Sequence, residues 1–347
     1  MQPYKKLFFL TTILLLFTHH ALAQVKKNVQ IDSLMKWSYQ NGLFNGNVLI
    51  AENDKIIYNA SFGFTDASKT EKLTSDYRFN IGSITKEFSA AALLQLQEKG
   101  KLKLEDPVSR FIPELPQWAH EVTIKDLLQY TSGIPNVNWK KIKNDQDLFD
   151  GLKNADSLDF KPGTQYNYYN NNNIFLRHFI IERLTGMSFK SYAEKFIFKP
   201  CKMTSSVMTP FENEKNIAKG FNKDLVADKP DLPITGGTYI TTRDLLKWAA
   251  CLHSNKIITT HSLFEMGQHF NLPETQSSLG EAVFKNQKLV QHIHDGRAGS
   301  YEALLVSDLN KNFTIILLGN SYKGKLFEIS DAITAILKNE KYSLPKK

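Results

Sequence analysis

Residues 79–100 read FNIGSITKEFSAAALLQLQEKG. Phe88, Ala91, Leu93, Leu94 and Leu96 recur at helical spacing in a run rich in Ala, Leu, Gln and Glu, which predicts a helix from Ser83 to Glu98. Gly100 is placed to end it as a C′ glycine, and Gly82 permits a tight turn at its start. A long apolar helix entered in this way is expected to be central and buried. Ser83 and Lys86 lie three positions apart, so they share a helix face. A serine hydroxyl is a poor nucleophile until a base takes its proton. Lysine can be that base when burial or nearby positive potential lowers its pKa. A helix N-terminus supplies such potential, and one of its free backbone N–H groups can help to stabilise an oxyanion. The spacing by itself equally describes a solvated helix start with Ser83 as N-cap.

Outward from this helix the chain is symmetric in kind. Ile31–Tyr39 predicts a helix, and Asn47–Ala51 with Lys55–Tyr58 predicts a hairpin around Glu52-Asn53-Asp54. Near the other end, Ala303–Val306 and Phe313–Leu318 flank the polar turn Asp308–Lys311, and Leu326–Leu337 reads as a closing helix. Between them lie mostly helices: Thr123–Gln129 with Thr123 and Asp126 resembling a capping box, then Phe175–Leu184, Phe189–Phe198 and Thr242–Leu252. The layout predicts an α+β fold, with an antiparallel sheet from both chain ends flanked by helices and a mostly helical region inserted. The α/β part is expected at about 24–110 and 230–347, and the helical part at about 111–229.

Composition narrows the function classes. The 347 residues are 42% hydrophobic, enough for a large core and too apolar for a disordered chain. Lys5 and Lys6, the apolar run Leu7–Phe17 and Ala21-Leu22-Ala23 read as a signal peptide over residues 1–23, leaving 24–347 as the mature domain. The mature chain is therefore expected to be secreted, periplasmic or extracellular, with no stable membrane insertion. Losing two lysines takes the net charge from +8 to +6. The remaining lysines are interspersed with acids and form no aromatic-laced basic stripe, which argues against nucleic acid. Cys201 and Cys251 are expected as two buried thiols, with a disulfide as the alternative that export permits.

Two more clusters carry chemistry. Residues 161–170 read KPGTQYNYYN, a Pro-Gly turn leading into a Tyr/Asn-rich loop. A tyrosine beside a lysine can be held as phenolate or can relay a proton, and an asparagine there can hydrogen-bond a substrate amide. Residues 292–299 read HIHDGRAG before a strand. Gly296 lets a substrate backbone approach a strand edge closely, and the Arg297 N–H is a candidate second oxyanion donor. His292 and His294 share a strand face; the sequence offers them no third ligand, so no metal is assigned.

Ser83-x-x-Lys86, Tyr168-x-Asn170 and His294-x-Gly296, in this order, resemble the serine β-lactamase and penicillin-binding-protein superfamily, and within it the class C β-lactamase-like branch. Residues 79–83 (FNIGS), 100–108 (GKLKLEDPV), 127–135 (LLQYTSGIP) and 236–245 (GGTYITTRDL) are similar to that branch too, so the likeness spans about 43–340. The resemblance implies a β-lactamase/transpeptidase-like fold. It implies Ser83 as the acylated nucleophile, with Lys86 and Tyr168 sharing general-base and acid work. Asn170 would contact substrate, and His294 would shape the electrostatics opposite Tyr168. The Ser83 and Arg297 backbone N–H groups would form the oxyanion hole. Tyr169-x-Asn171 also fits the second motif; the spacing from Pro162-Gly163 favours Tyr168 and Asn170. Asp295 departs from the pattern and would repel substrate carboxylates.

The expectation is a secreted serine hydrolase that cleaves an ester or amide without a cofactor. Its partner would be a small-molecule or peptide substrate: a β-lactam, a D-amino-acid peptide or a small ester. The alternatives are a catalytically silent protein on the same fold that binds peptidoglycan or another envelope component, and a metallohydrolase built on the His pair.

Overall fold

The computed structural model describes residues 24–53, 55–137, 141–209, 214–228, 237–269 and 275–347. The signal-peptide expectation at 1–23 lies outside them. A helix over residues 24–40 (α1) precedes strands β1 (Gly46–Glu52), β2 (Lys55–Phe62) and β3 (Phe79–Asn80). Helices α2 (Lys86–Glu98), α3 (Ile124–Gln129), α4 (Asp145–Lys153), α5 (Asn172–Thr185) and α6 (Phe189–Ala193) follow. Then come β4 (Val207–Met208), β5 (Thr238–Ile240), α7 (Thr242–His253) and α8 (Thr260–Met266). Strands β6 (Glu281–Lys285), β7 (Lys288–Ala298), β8 (Tyr301–Asp308) and β9 (Phe313–Gly319) and helix α9 (Leu326–Leu337) complete the chain.

The main sheet has the order β2-β1-β9-β8-β7-β6, with every pair antiparallel. Strands from the two chain ends meet at its centre, where Gly46 pairs with Gly319 and Glu52 with Phe313. The central strands are apolar on both faces because helices cover both. Val48, Ile50, Leu304, Val306, Ile315 and Leu317 pack with Ile31, Leu34, Ile333 and Ile336 of α1 and α9. Their alternates Leu49, Ala51, Ala303, Leu305, Ile316 and Leu318 join the larger core around α2 and α7. The fold is thus the expected α+β arrangement.

Helix α2 is buried from Lys86 to Leu96 on every side, as an all-round apolar helix must be. Its entry differs from expectation: Gly82–Thr85 form a 3-10 turn, and α-helical bonding begins at Lys86. Gly100 ends it at φ +67°, with the Lys101 N–H on the Leu96 carbonyl. The Thr123 capping box is formed in both directions. The run 189–198 divides into α6 and a π-helical turn over Glu194–Phe198.

Cys201 and Cys251 are bonded to each other, which corrects the expectation of separate thiols. The turn after Phe198 folds Cys201 back against α7, and the Cα–Cα separation of 5.6 Å suits a bridge. Adjacency across 50 residues depends on that tertiary turn and not on any local pattern. The Cys201→Ala/Cys251→Ala double variant is expected to lose about 4 kcal/mol if loop entropy dominates. Urea denaturation with and without reductant measures this, since reductant should lower the midpoint of the parent and leave the double variant unchanged.

Candidate active site

Ser83 lies between two backbone constraints. β3 pairs with β5, and the Asn80 Oδ1 accepts the Gly82 N–H at 2.9 Å. Gly82 then takes φ +53°, a conformation costly for other residues, and turns the chain into α2. Opposite stands the end of β7. Its pairing with β6 stops at Ile293, so His294–Ala298 have a neighbour on the β8 side only. The turn before α2 fills the other side. A Cβ on Gly296 would lie 1.9 Å from the Ile81 carbonyl oxygen and 3.0 Å from the Ser83 nitrogen. One on Gly82 would lie 2.3 Å from the Arg297 nitrogen. The two glycines let the strand and the helix start touch through backbone, with the Ser83 and Arg297 amides at that contact. Gly296 was expected to admit a substrate backbone; the backbone it admits is the protein's own.

Lys86 opens α2, 8% exposed. Its Nζ stands 3.5 Å from the ring centroid of Tyr168 and 5.6 Å from that of Tyr130. Burial pushes its pKa down to about 7; the Arg177 guanidinium acts in the same direction, and Asp295 acts against both. Arg177 is wholly buried in α5, hydrogen-bonded to the Leu127 carbonyl and stacked 4.8 Å from the Tyr130 ring. Tyr130 has φ +58°, an uncommon setting for an aromatic residue, at the C-terminus of α3.

Tyr168 stands beside Ser83 in the cavity and lies with its hydroxyl 3.3 Å from His294 Nε2. Burial, and then the neighbouring Tyr130, push its pKa well above the ordinary tyrosine range. It is a phenol at neutral pH, so of the two roles open to it in the sequence the phenolate falls away. Ser83, Lys86, Tyr166, Tyr168, Asp295 and Arg297 face a cavity of about 660 Å³. The Arg297 side chain rests on the Tyr322 ring at 3.8 Å.

Asn170 is not among these residues. It is 2% exposed, its Nδ2 donates to the Ile134 carbonyl, and its Oδ1 accepts the Asn172 N–H at 3.0 Å. It ties the loop to the start of α5 and does not line the cavity where the substrate contact was expected. Asn171, from the alternative motif, lines the cavity instead. The His pair gains the third ligand that the sequence did not offer. Glu87, buried beside Lys86, brings its carboxylate to His292 and His294, and the ligating atoms of the three lie within 4.8 Å of one another. They satisfy one another directly: Glu87 Oε1 lies 2.6 Å from His294 Nδ1 and 3.1 Å from His292 Nε2. Glu87, Arg177 and Tyr130 escape sequence reasoning, and Asn171 was weighed there only as the alternative to Asn170. Glu87 alone left a signal, a charged residue inside an apolar helix.

The sequence profile of the beta-lactamase family matches residues 30–338. The chain belongs to the beta-lactamase family. As a member of it, the chain is a serine hydrolase. It is 28% identical over 340 residues to "Protein flp" of Staphylococcus aureus (strain MRSA252), covering 90% of this chain and 67% of that protein. It is 27% identical over 357 residues to "Penicillin-binding protein 4*" of Bacillus subtilis (strain 168), covering 92% and 78%. The fold is similar to that of a penicillin-binding protein from Bacillus halodurans, with a TM-score of 0.76, 22% identity, and 88% of this chain and 98% of that chain covered. It is equally similar to a class C beta-lactamase in complex with cefoxitin, at TM-score 0.76 and 20% identity, with 91% and 99% covered. The likeness read from the three motifs holds.

Within this beta-lactamase fold the approaches of Gly296 to Ile81 and of Gly82 to Arg297 set how far the strand stands from Ser83. Gly296→Ala is expected to push β7 away from Ile81 and lower kcat about 100-fold, the scale of a displacement near 1 Å at a reacting centre. Steady-state kinetics with a thermal melt checks this: kcat should fall far more than the melting temperature.

Proposed function

We propose that Ser83 is the acylated nucleophile of an exported hydrolase that cleaves esters or amides. The observation that carries this is the meeting of Ser83, a Lys86 whose pKa is near 7, and the phenol of Tyr168 in one cavity. Ser83 Oγ attacks the carbonyl carbon while Lys86 and Tyr168 manage its proton. Tyr168, still protonated, is equipped to supply a proton to the leaving group. The Ser83 and Arg297 amides are offered as donors to the oxyanion. Water then releases the acyl group by the same relay in reverse.

The substrate reading rests on Asp295, the one acid among the described residues that line the cavity, set against Lys86 and Arg297. Asp295 lies close enough to raise the pKa of both Lys86 and Tyr168. A carboxylate there disfavours the acid group carried by β-lactams and by peptide C-termini. Esters and amides without that group are therefore placed ahead of β-lactams and D-amino-acid peptides. Export is supported by the charged, apolar and small-residue pattern of residues 1–23 and by the Cys201–Cys251 bond, which suits an oxidising compartment. No helix among the described residues is long and apolar enough to cross a membrane.

A fluorophosphonate probe followed by mass spectrometry is expected to label Ser83, and Ser83→Ala should abolish turnover of p-nitrophenyl acetate and of nitrocefin. Full activity in folded Ser83→Ala overturns the assignment. The pH dependence has a definite sign. Lys86 accepts a proton only when neutral, and with a pKa of about 7 roughly a tenth is neutral at pH 6 and about nine-tenths at pH 8. Activity should therefore rise with pH through 7 and level off near 8, measured as kcat/KM across buffers of constant ionic strength.

A further inference from the structure

The acyl-transfer scheme leaves Glu87 unused, although the residue after Lys86 is wholly buried and charged. Burial alone would raise its pKa. The His292 and His294 imidazoles outweigh burial and hold it below the usual carboxylate range. An ionised carboxylate can only accept hydrogen bonds. Three nitrogens reach this one: Trp248 Nε1 at 2.5 Å, His294 Nδ1 at 2.6 Å and His292 Nε2 at 3.1 Å. Each must therefore present its N–H. For His294 this places a proton on Nδ1, and the ring turns its Nε2 towards the Tyr168 hydroxyl 3.3 Å away. His292 is fixed in the same manner, with Nδ1 open to His253 Nε2 at 3.0 Å.

From this geometry we infer that Glu87 is a positioning residue for Tyr168, acting through His294. Building on the assignment of Ser83 as nucleophile, it gives the hydrogen-bond chain a direction. Ser83 O–H donates to the Tyr168 oxygen, Tyr168 O–H donates to His294 Nε2, and His294 Nδ1–H donates to Glu87. With its proton engaged by Tyr168, Ser83 Oγ has its remaining lone pairs free for a carbonyl carbon. An amide at position 87 permits the opposite order. Its NH₂ can donate to His294 Nδ1, the imidazole proton moves to Nε2, and Nε2–H then donates to the Tyr168 oxygen. The Tyr168 proton is turned back towards Ser83, and the relay points the wrong way. A wrongly oriented imidazole tautomer is costly in a relay of this logic.

The test is Glu87→Gln in the full chain, assayed with p-nitrophenyl acetate and nitrocefin, with Trp248→Phe as the control that removes another donor to the same carboxylate. Glu87→Gln is expected to lower kcat at least about 100-fold with KM within about threefold. Trp248→Phe should lower the melting temperature while kcat stays within a few-fold. A purely structural carboxylate would make the two variants behave alike. ¹⁵N-histidine NMR of the unmutated protein reads the tautomer independently of whether Glu87→Gln folds: His294 should carry its proton on Nδ1. A neutral His294 protonated on Nε2, or folded Glu87→Gln with kcat within threefold of the parent, overturns the inference. Full activity in Ser83→Ala would overturn the serine assignment instead, so the two failures are distinguishable.

Discussion

The contact between the end of β7 and the turn before α2 is the constraint from which the rest of the site follows. Backbone packs on backbone there, with no side chain between Gly296 and Ile81 or between Gly82 and Arg297. Strand β7 is held by β8 from Gln291 to Ala298, and β8 by β9 at the centre of the sheet. The Ser83 turn is thereby referenced to the most rigid part of the molecule. A side chain in place of either glycine would open the gap by more than catalytic geometry tolerates.

The same contact decides what happens to charge. Lys86 and Glu87 are adjacent in sequence and both buried, yet they do not neutralise each other, because neighbouring residues on a helix point about 100° apart. Glu87 faces β7 and α7 and meets three N–H donors, which compensate it for lost water and keep it ionised. Lys86 faces the cavity and meets aromatic rings and the field of a buried arginine. Ring faces attract a cation but cannot replace its hydration in full, so Lys86 gives up its proton near neutrality. One burial cost thus has two outcomes, a permanent anion and a titrating base, set by which side of α2 each residue occupies.

Much of this was legible in the sequence where the signal is local. The largely apolar helix after Ser83, the strands at both ends, the Thr123 capping box and the closing helix are periodic or capped patterns, and they appear where those patterns lie. What escaped depends on long-range adjacency. Glu87 is visible in the sequence as a charge inside an apolar helix, but its contact with the two histidines that β7 sets against it is not. Asn170 and Asn171 both suit a substrate contact by type; the tight turn into α5 rotates the first inward and leaves the second on the cavity. Cys201 meets Cys251 through a π-helical turn that no propensity signals.

The proposed catalytic group is therefore assembled from three parts with different tolerances. Ser83 and Lys86 stand on the first turns of a helix packed on every side, so they cannot drift without opening a core that fills space at crystal-like density. His294 and Arg297 belong to a sheet strand and carry the same rigidity. Tyr168 alone comes from a loop, and its placement needs more than packing. Tyr130 and Tyr166 border its ring, Lys86 covers its face, and its hydroxyl reaches His294. A loop residue held at ring and tip in this way acquires the precision of the elements it touches. That precision is drawn from β7, because the histidine at its tip is itself fixed by the carboxylate beneath it.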